Sequence, residues 1–356
     1  MQTVNIAGAG LTGCTIAQQL VERLPDVQVN IYETRNEIAG NLADEWIDGV
    51  LVHKYGPHLL HYDSEVAHAW FSRHADLVPY EHHVRAVLQD GRSVPFPINF
   101  DTLLALGYGG RLPNGMDTKR KVKTSDDVFF NAVGDDLADI FFRPYTRRMW
   151  NRDASEIDAS IGARIPVRQN HDSRYFTNKY QVLPKFGYSH MLGNAIDHPR
   201  ISVTLDADSH QYRDEACDLM FTSEPIDSYF DYCYGKLPYR SVKFTRTHIP
   251  QQLLHQGAAS FNFTTQEGAF SRITIWERLP HANNHTHSQL PLCTVEEPCN
   301  GDPYYPVLTP ESRATYDRYV KLIPVHVRFV GRLGKFQYID MAPAVLQAIT
   351  EARKVA

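Results

Sequence analysis

The run Gly8-Ala9-Gly10-Leu11-Thr12-Gly13 has the residue types and spacing of a turn that cradles a pyrophosphate. Gly8 permits a sharp turn after a strand, Gly10 lets the backbone approach the anion, and Gly13 lets helix and strand pack closely. Leu11 and Thr12 open the helix, whose free N–H groups and positive dipole end favour phosphate. Glu33, about 20 residues beyond Gly13, stands where a carboxylate accepts from both ribose hydroxyls and repels a 2′-phosphate. Thr34, Arg35, Gly40 and Asn41 follow as a second, glycine-bearing approach to the same ligand. The turn alone does not separate NAD from FAD. The Arg35-to-Asn41 approach and a late glycine turn, Gly331 to Gly334, offer backbone to a longer cofactor and favour FAD.

The elements that must hold these residues are legible around them. Thr3 to Gly10 reads as a buried strand ending in glycines, and Leu11, Ile16, Leu20 and Leu24 repeat at helical spacing. Pro25 and Asp26 break that helix, and a second strand runs to Glu33, so residues 3–33 form one βαβ unit. Between Asp101 and Trp150, helical spacing and the cluster Phe129, Phe130, Phe141, Phe142 predict a helical insertion, with the GYGGRLPNG piece as a surface loop. Alternating aromatic and β-branched residues from Arg174 to Ser189 and from Tyr229 to Pro280 predict antiparallel sheet. The C-terminal stretch reads as strand, glycine turn and amphipathic helix. The fold class is therefore α/β: a Rossmann-like FAD-binding domain, an inserted helical domain and an antiparallel β-sheet substrate domain. The expected boundaries are 1–78, 190–225 and 318–356 for the discontinuous FAD-binding domain, 99–165 for the helical insertion, whose small, polar segment 151–163 is suited to being mobile, and 79–98, 166–189 and 226–317 for the sheet domain.

Composition narrows the partners. With 356 residues, 43% hydrophobic and 22% charged, the chain buries a large interior. Its 36 basic and 41 acidic residues give a formal charge of -5, no electrostatic footprint for nucleic acid or an anionic membrane. No stretch has the roughly 18 apolar residues of a membrane span, and a cytoplasmic location is expected. Five scattered cysteines with no C-x-x-C pair argue against a disulfide framework or a zinc site. His281, His285 and His287 lie in the polar stretch PHANNHTHSQ and read as a solvated loop. The His58 and His61 pair lacks accompanying carboxylate spacing, so no metal is expected there either.

Further motifs run nearly end to end: Val52-His-Lys-Tyr-Gly-Pro-His58-Leu-Leu-His61, Pro97-Ile-Asn99, Tyr145-Thr-Arg-Arg-Met-Trp150, Arg164-Ile-Pro-Val-Arg168, Tyr304-Tyr305-Pro306, and Phe329 through Met341. With the glycine turn, and in this order, they make the chain resemble the bacterial UDP-galactopyranose mutases. That resemblance implies FAD, active when reduced by an external reductant, and interconversion of pyranose and furanose forms of a nucleotide sugar by covalent catalysis from the reduced flavin. It implies UDP-galactopyranose as substrate and a homodimer. It casts Arg164, Arg272 and His58 as catalytic, the two arginines on the leaving diphosphate. It places the hydroxyls of Tyr175, Tyr305 and Tyr338 on the phosphates, Tyr145 on the uracil ring and Trp150 at the sugar, with His82 and Asn262 completing the substrate pocket. His58, Arg332, Tyr338, Asp340 and Met341 join the FAD contacts, and the segment between Trp150 and Arg164 becomes a lid that carries the arginine to substrate.

Several positions depart from that pattern. His82 stands where a P-Y-x-N asparagine is usual, Ile275-Trp276 replaces Glu-His, Lys335-Phe336-Gln337 replaces T-Y-R, and Ala39 replaces a glycine. These changes keep the same mutase chemistry on an N-acetyl, deoxy or otherwise modified nucleotide sugar open as an alternative. An FAD-dependent amine-oxidase-like oxidoreductase is the rival from another class, since it shares the glycine turn but needs no diphosphate-binding arginines.

Overall fold

In the computed structural model, residues 2–112, 119–254, 257–265, 268–281 and 289–355 are described. Five parallel strands carry the glycine turn, in the order Ile201–Thr204, Val27–Tyr32, Gln2–Ala7, Leu219–Thr222, Val327–Phe329. Runs such as VNIA and LMFT are buried along their length, as expected for parallel strands covered on both faces. The helix Leu11–Arg23 buries Cys14, Ile16, Ala17, Leu20 and Val21 and packs against the C-terminal helix Met341–Arg353. Leu24 lies just past the first helix as its C-cap, and the second strand stops at Tyr32, one residue before Glu33.

A seven-stranded sheet forms the other large layer, ordered Tyr305–Pro306, Tyr239–His248, Leu292–Cys299, Arg272–Ile275, Ser260–Phe263, Val84–Val87, Ser93–Phe96. It differs from the expected purely antiparallel sheet at one seam, where Ser260–Phe263 runs parallel to Val84–Val87. It also continues past Pro280 into Leu292–Cys299, the strand that supplies the longest pairing, with Tyr239–His248. Of the stretch from Arg174 to Ser189, only Tyr180–Pro184 is a strand, and it belongs to a separate three-stranded sheet between Leu60–Tyr62 and Leu77–Pro79. Tyr229 closes a helical turn, Ile226–Tyr229, rather than opening a strand.

The helical stretch comprises Phe100–Ala105, Ser125–Phe141 and Arg143–Trp150. Phe129, Phe141 and Phe142 are buried with Phe96, whereas Phe130 is partly exposed beneath the Arg120 guanidinium, 3.7 Å from its ring centre. The C-terminal part of the GYGGRLPNG piece, and His285 and His287, lie outside the described residues. His281 does not lie in a solvated loop. It is 1% exposed, its ring wedged beside His53. No helix among the described residues is long and apolar enough to cross a membrane.

Candidate active site

Two cavities meet along one wall. The first, about 680 Å³, opens over the glycine turn and is lined by Gly8, Gly10, Leu11, Thr12, Gly13, Glu33, Thr34, Arg35, Gly40 and Asn41, so the sequence-predicted cofactor residues near the N-terminus converge. The local geometry explains the glycines. A Cβ on Gly13 would stand 2.0 Å from the Gly8 carbonyl oxygen, whereas one on Gly10 would meet nothing nearer than the Gly40 Cα at 3.9 Å. Gly13 is thus required by packing within the turn, and Gly10 by whatever occupies the cleft. The helix beginning at Leu11 has no side-chain cap and no acidic residue in its first turn, leaving its N–H groups and dipole unanswered. An uncapped N-terminus over open space fits a dinucleotide pyrophosphate.

Glu33 is 7% exposed and already bound by the backbone: its Oε2 accepts from the Ala9 N–H at 2.9 Å and its Oε1 from the Arg35 N–H at 3.0 Å. Oε1 also accepts from the Thr34 hydroxyl at 3.5 Å, whereas Oε2 has room for a second donor. Arg35 donates to Asn41 Oδ1 at 3.0 Å, and its guanidinium lies 4.7 Å from the centre of the Tyr55 ring. Ala39 occupies left-handed backbone at φ 80°, the conformation that suits glycine, and its N–H bonds the Ala9 carbonyl at 2.9 Å. The predicted glycine turn at Gly331–Gly334 is one turn of helix. Gly331 still approaches closely: a Cβ there would stand 3.4 Å from Thr12 Oγ1.

The second cavity, about 500 Å³, collects Arg164, Arg272 and Arg332 with Tyr145, Trp150, Tyr175, Tyr305, Tyr338, His82 and Asn262. Tyr338 and Tyr305 stack with ring centres 5.5 Å apart and 15° between planes. The Arg164 guanidinium lies 4.3 Å from the Tyr338 ring centre and donates to Asp340 Oδ1 at 2.5 Å. Trp150 is buried and packs its edge on Tyr305 at 6.2 Å. Tyr338, predicted for both cofactor and substrate, lines this cavity, with the Arg332 guanidinium of the shared wall 5.5 Å from its ring centre. His58, Arg332, Asp340 and Met341 line both cavities and form the shared wall.

The arginines and tyrosines set the electrostatics. Arg272 and Glu296 are cross-strand partners, with Nη1 3.6 Å from Oε2, and Arg272 Nε donates to Asn262 Oδ1 at 3.1 Å. Burial opposes the Arg272 cation, but Glu296 and then Tyr145, Tyr175 and Tyr305 outweigh it and hold its pKa above the ordinary range. Burial raises Glu296, and the attraction of Arg272 only partly offsets this. Burial also pushes the Tyr175 hydroxyl up to about 12 and Tyr305 above its usual value, keeping both protonated as donors. Burial and then the Arg332 charge lower His58 to about 3, so its ring is neutral. Its Nδ1 lies 2.9 Å from the Gly56 carbonyl, an acceptor only, which places the proton on Nδ1 and a lone pair on Nε2. His82 is likewise lowered to about 3, by burial and then by Arg272.

Sequence reasoning missed Glu296, since only strand register reveals which carboxylate stands opposite Arg272. The Lys335-Phe336-Gln337 departure lies away from both cavities. Lys335 pairs with Glu351 at 3.2 Å, Gln337 bonds Gln347 at 2.9 Å and Phe336 is buried against Tyr239, so none of the three lines either cavity. Trp276 is fully buried and donates to Thr294 Oγ1 at 2.8 Å, away from the cavity walls. His82, in contrast, lines the second cavity.

A parallel sheet bearing an uncapped glycine turn, joined through a four-residue wall to a cation-lined chamber, defines a dinucleotide-binding α/β enzyme of two compartments. Residues 6–73 match the model of the NAD(P)-binding Rossmann-like domain, and residues 140–338 match that of UDP-galactopyranose mutase. The chain belongs to the UDP-galactopyranose mutase family, a family of isomerases. It is 32% identical to a probable UDP-galactopyranose mutase of Klebsiella pneumoniae, over 99% of this chain and 94% of that one. It is 28% identical to the dTDP-fucopyranose mutase of Escherichia coli, over 98% and 97%. Among solved structures, a reduced UDP-galactopyranose mutase matches with TM-score 0.76 at 14% identity, covering 100% of this chain and 94% of that one.

Proposed function

We propose that the protein binds FAD in the first cavity and, with the flavin kept reduced by an external reductant, converts UDP-galactopyranose to UDP-galactofuranose in the second. The observation that carries this reading is the convergence of Arg164 and Arg272 on a chamber floored by the Tyr305–Tyr338 stack and separated from the cofactor cleft only by His58, Arg332, Asp340 and Met341. When bound, reduced flavin supplies a nucleophile for the anomeric carbon. The side chains of this chain do the rest. Two guanidinium forks take up charge on the departing diphosphate, and the protonated hydroxyls of Tyr175 and Tyr305 donate to it. Tyr145 stacks on the base, Trp150 and Asn262 bound the sugar, and His58 offers its Nε2 lone pair at the partition.

A second reading is favoured by a specific pair of observations: His82 stands in the pocket where an asparagine is usual, and a dTDP-fucopyranose mutase is among the relatives. In that reading the same chemistry acts on a deoxy hexose carried by another nucleotide. Dithionite-reduced protein incubated with a panel of nucleotide sugars, followed by chromatography of products, decides. A furanose product from UDP-galactose supports the first reading, one from a deoxy sugar alone supports the second, and none from any sugar overturns both.

The lid expectation takes a definite form here. Residues between Trp150 and Arg164 are tied to the start of the Ser125–Phe141 helix through one residue: the Ser125 N–H donates to the Ile157 carbonyl at 2.9 Å, its hydroxyl donates to the Asp158 carbonyl at 2.7 Å, and that oxygen accepts from the Gly162 N–H at 3.0 Å. Arg164 leaves this anchor and rests on Asp340. A bound diphosphate would exchange Asp340 for phosphate and order the segment further. UDP should therefore slow hydrogen exchange of residues 151–163 by roughly tenfold, as measured by mass spectrometry. Unchanged exchange with UDP bound would remove the lid from the proposal.

A further inference from the structure

We infer that His281 and His53 form a neutral histidine pair with fixed tautomers, and that this pair is a positioning device holding the backbone of His58 at the partition between the two cavities. Three hydrogen bonds determine the arrangement. The His58 N–H, which can only donate, lies 3.0 Å from His53 Nδ1. His53 Nδ1 therefore carries a lone pair, and the proton of the neutral ring sits on Nε2. That Nε2 lies 3.1 Å from His281 Nε2, which must then accept. His281 consequently carries its proton on Nδ1, and Nδ1 lies 2.9 Å from the Pro184 carbonyl, which can only accept. The direction of every bond follows from the two backbone ends, and all four ring nitrogens are satisfied.

Adding a proton to either ring would set two N–H groups face to face, at the His58 N–H or between the rings. Burial and neighbouring histidines depress His53, and burial depresses His281 to about 4, which agrees with this directionality. Among the described residues, the titratable groups facing His53 are His281, His58 and Tyr188. The Tyr188 hydroxyl is committed to the His58 carbonyl oxygen at 2.8 Å, so His58 is held at its N–H from one side and at its carbonyl from the other. Trp276 packs 5.1 Å from the His53 ring centre while its own N–H goes to Thr294, leaving the pair undisturbed. Through Gly56, whose carbonyl takes the His58 Nδ1–H, the clamp also fixes which nitrogen His58 presents to the shared wall.

The consequence for the flavin rests on the proposed function, whereas the tautomers do not, and the test separates the two. Imidazole 15N spectra of the purified full chain, assigned with single His53 and His281 variants, should show His53 protonated at Nε2 and His281 at Nδ1. Neither should titrate from mildly acidic to mildly alkaline pH. Titration of either ring in that range, or the opposite tautomer on either, overturns the pair. Glutamine can accept from His53 and donate to Pro184, whereas phenylalanine fills the space and can do neither. On FAD-loaded protein, H281F should lower kcat by roughly 10- to 100-fold with KM little changed, and shift the visible absorption of the bound flavin. H281Q should restore both. Equal effects of the two variants, or no effect of either, would overturn the positioning role. Failure to bind FAD at all would sink the proposed function and leave the 15N result to decide the pair.

Discussion

Replacing Arg272 with alanine should lower turnover by roughly 10²- to 10³-fold, the range seen when one group stabilising a developing charge is removed. The lysine variant should recover only part of this, since a point charge replaces the fork that matches a diphosphate. Stability responds as well, for a separate reason. Glu296 faces Arg272 across the strand pair and is buried, so the alanine variant strands a carboxylate without its partner, a loss of about 3 to 5 kcal/mol for a buried pair. The double change R272A with E296Q should regain much of the melting temperature and none of the turnover, which distinguishes chemistry from folding. The pH dependence has a definite sign. Burial raises the folded-state pKa of Glu296 above its unfolded value, so its contribution to stability is fullest below the unfolded pKa and is lost as pH rises through the folded one. Removing Arg272 raises the folded value further. The melting-temperature gap between R272A and the parent should therefore narrow on acidification across that interval, and a gap independent of pH would show that Glu296 is not the group responsible.

Gly10→Ala and Gly13→Ala should fail in opposite ways. The Gly13 Cβ would collide with the Gly8 carbonyl at 2.0 Å, a backbone atom that cannot move aside, so this variant should lose about 3 kcal/mol or more of stability with or without cofactor. Gly10 has ordinary φ of −78° and open space before it, so its alanine variant should melt within about 0.5 kcal/mol of the parent when cofactor-free. The added methyl instead stands where a pyrophosphate approaches the helix N-terminus. Losing one charge-assisted hydrogen bond there, about 1.5 to 3 kcal/mol, should weaken FAD binding by roughly 10- to 100-fold in a fluorescence titration. Tight FAD binding by the Gly10 variant would move the cofactor away from this turn.

What the sequence revealed, and what it hid, follows from the range of the interactions. The glycine turn and Glu33 were readable because strand, turn and helix are contiguous, and Gly13 answers a constraint five residues away, the Gly8 carbonyl. The arginines and tyrosines of the second cavity were found through motif resemblance, and the fold brings them to one chamber from six separate segments. Glu296 and His281 were not found. Each acquires its meaning from a partner distant in sequence, Arg272 by register and His53 by packing, and the polar neighbours of His281 pointed the wrong way. The parallel seam between Ser260–Phe263 and Val84–Val87 was hidden for the same reason, since alternation marks a strand but not the direction of its neighbour.

His58, Arg332, Asp340 and Met341 face both compartments, so an occupant of either cavity meets side chains that also line the other. Whatever factor a loaded cleft adds to nucleotide affinity, reciprocity requires the nucleotide to return to the cofactor's affinity. On the proposed function, a nucleotide that binds more tightly to the FAD-loaded protein would tighten FAD binding by the same factor, so turnover itself would help retain the cofactor.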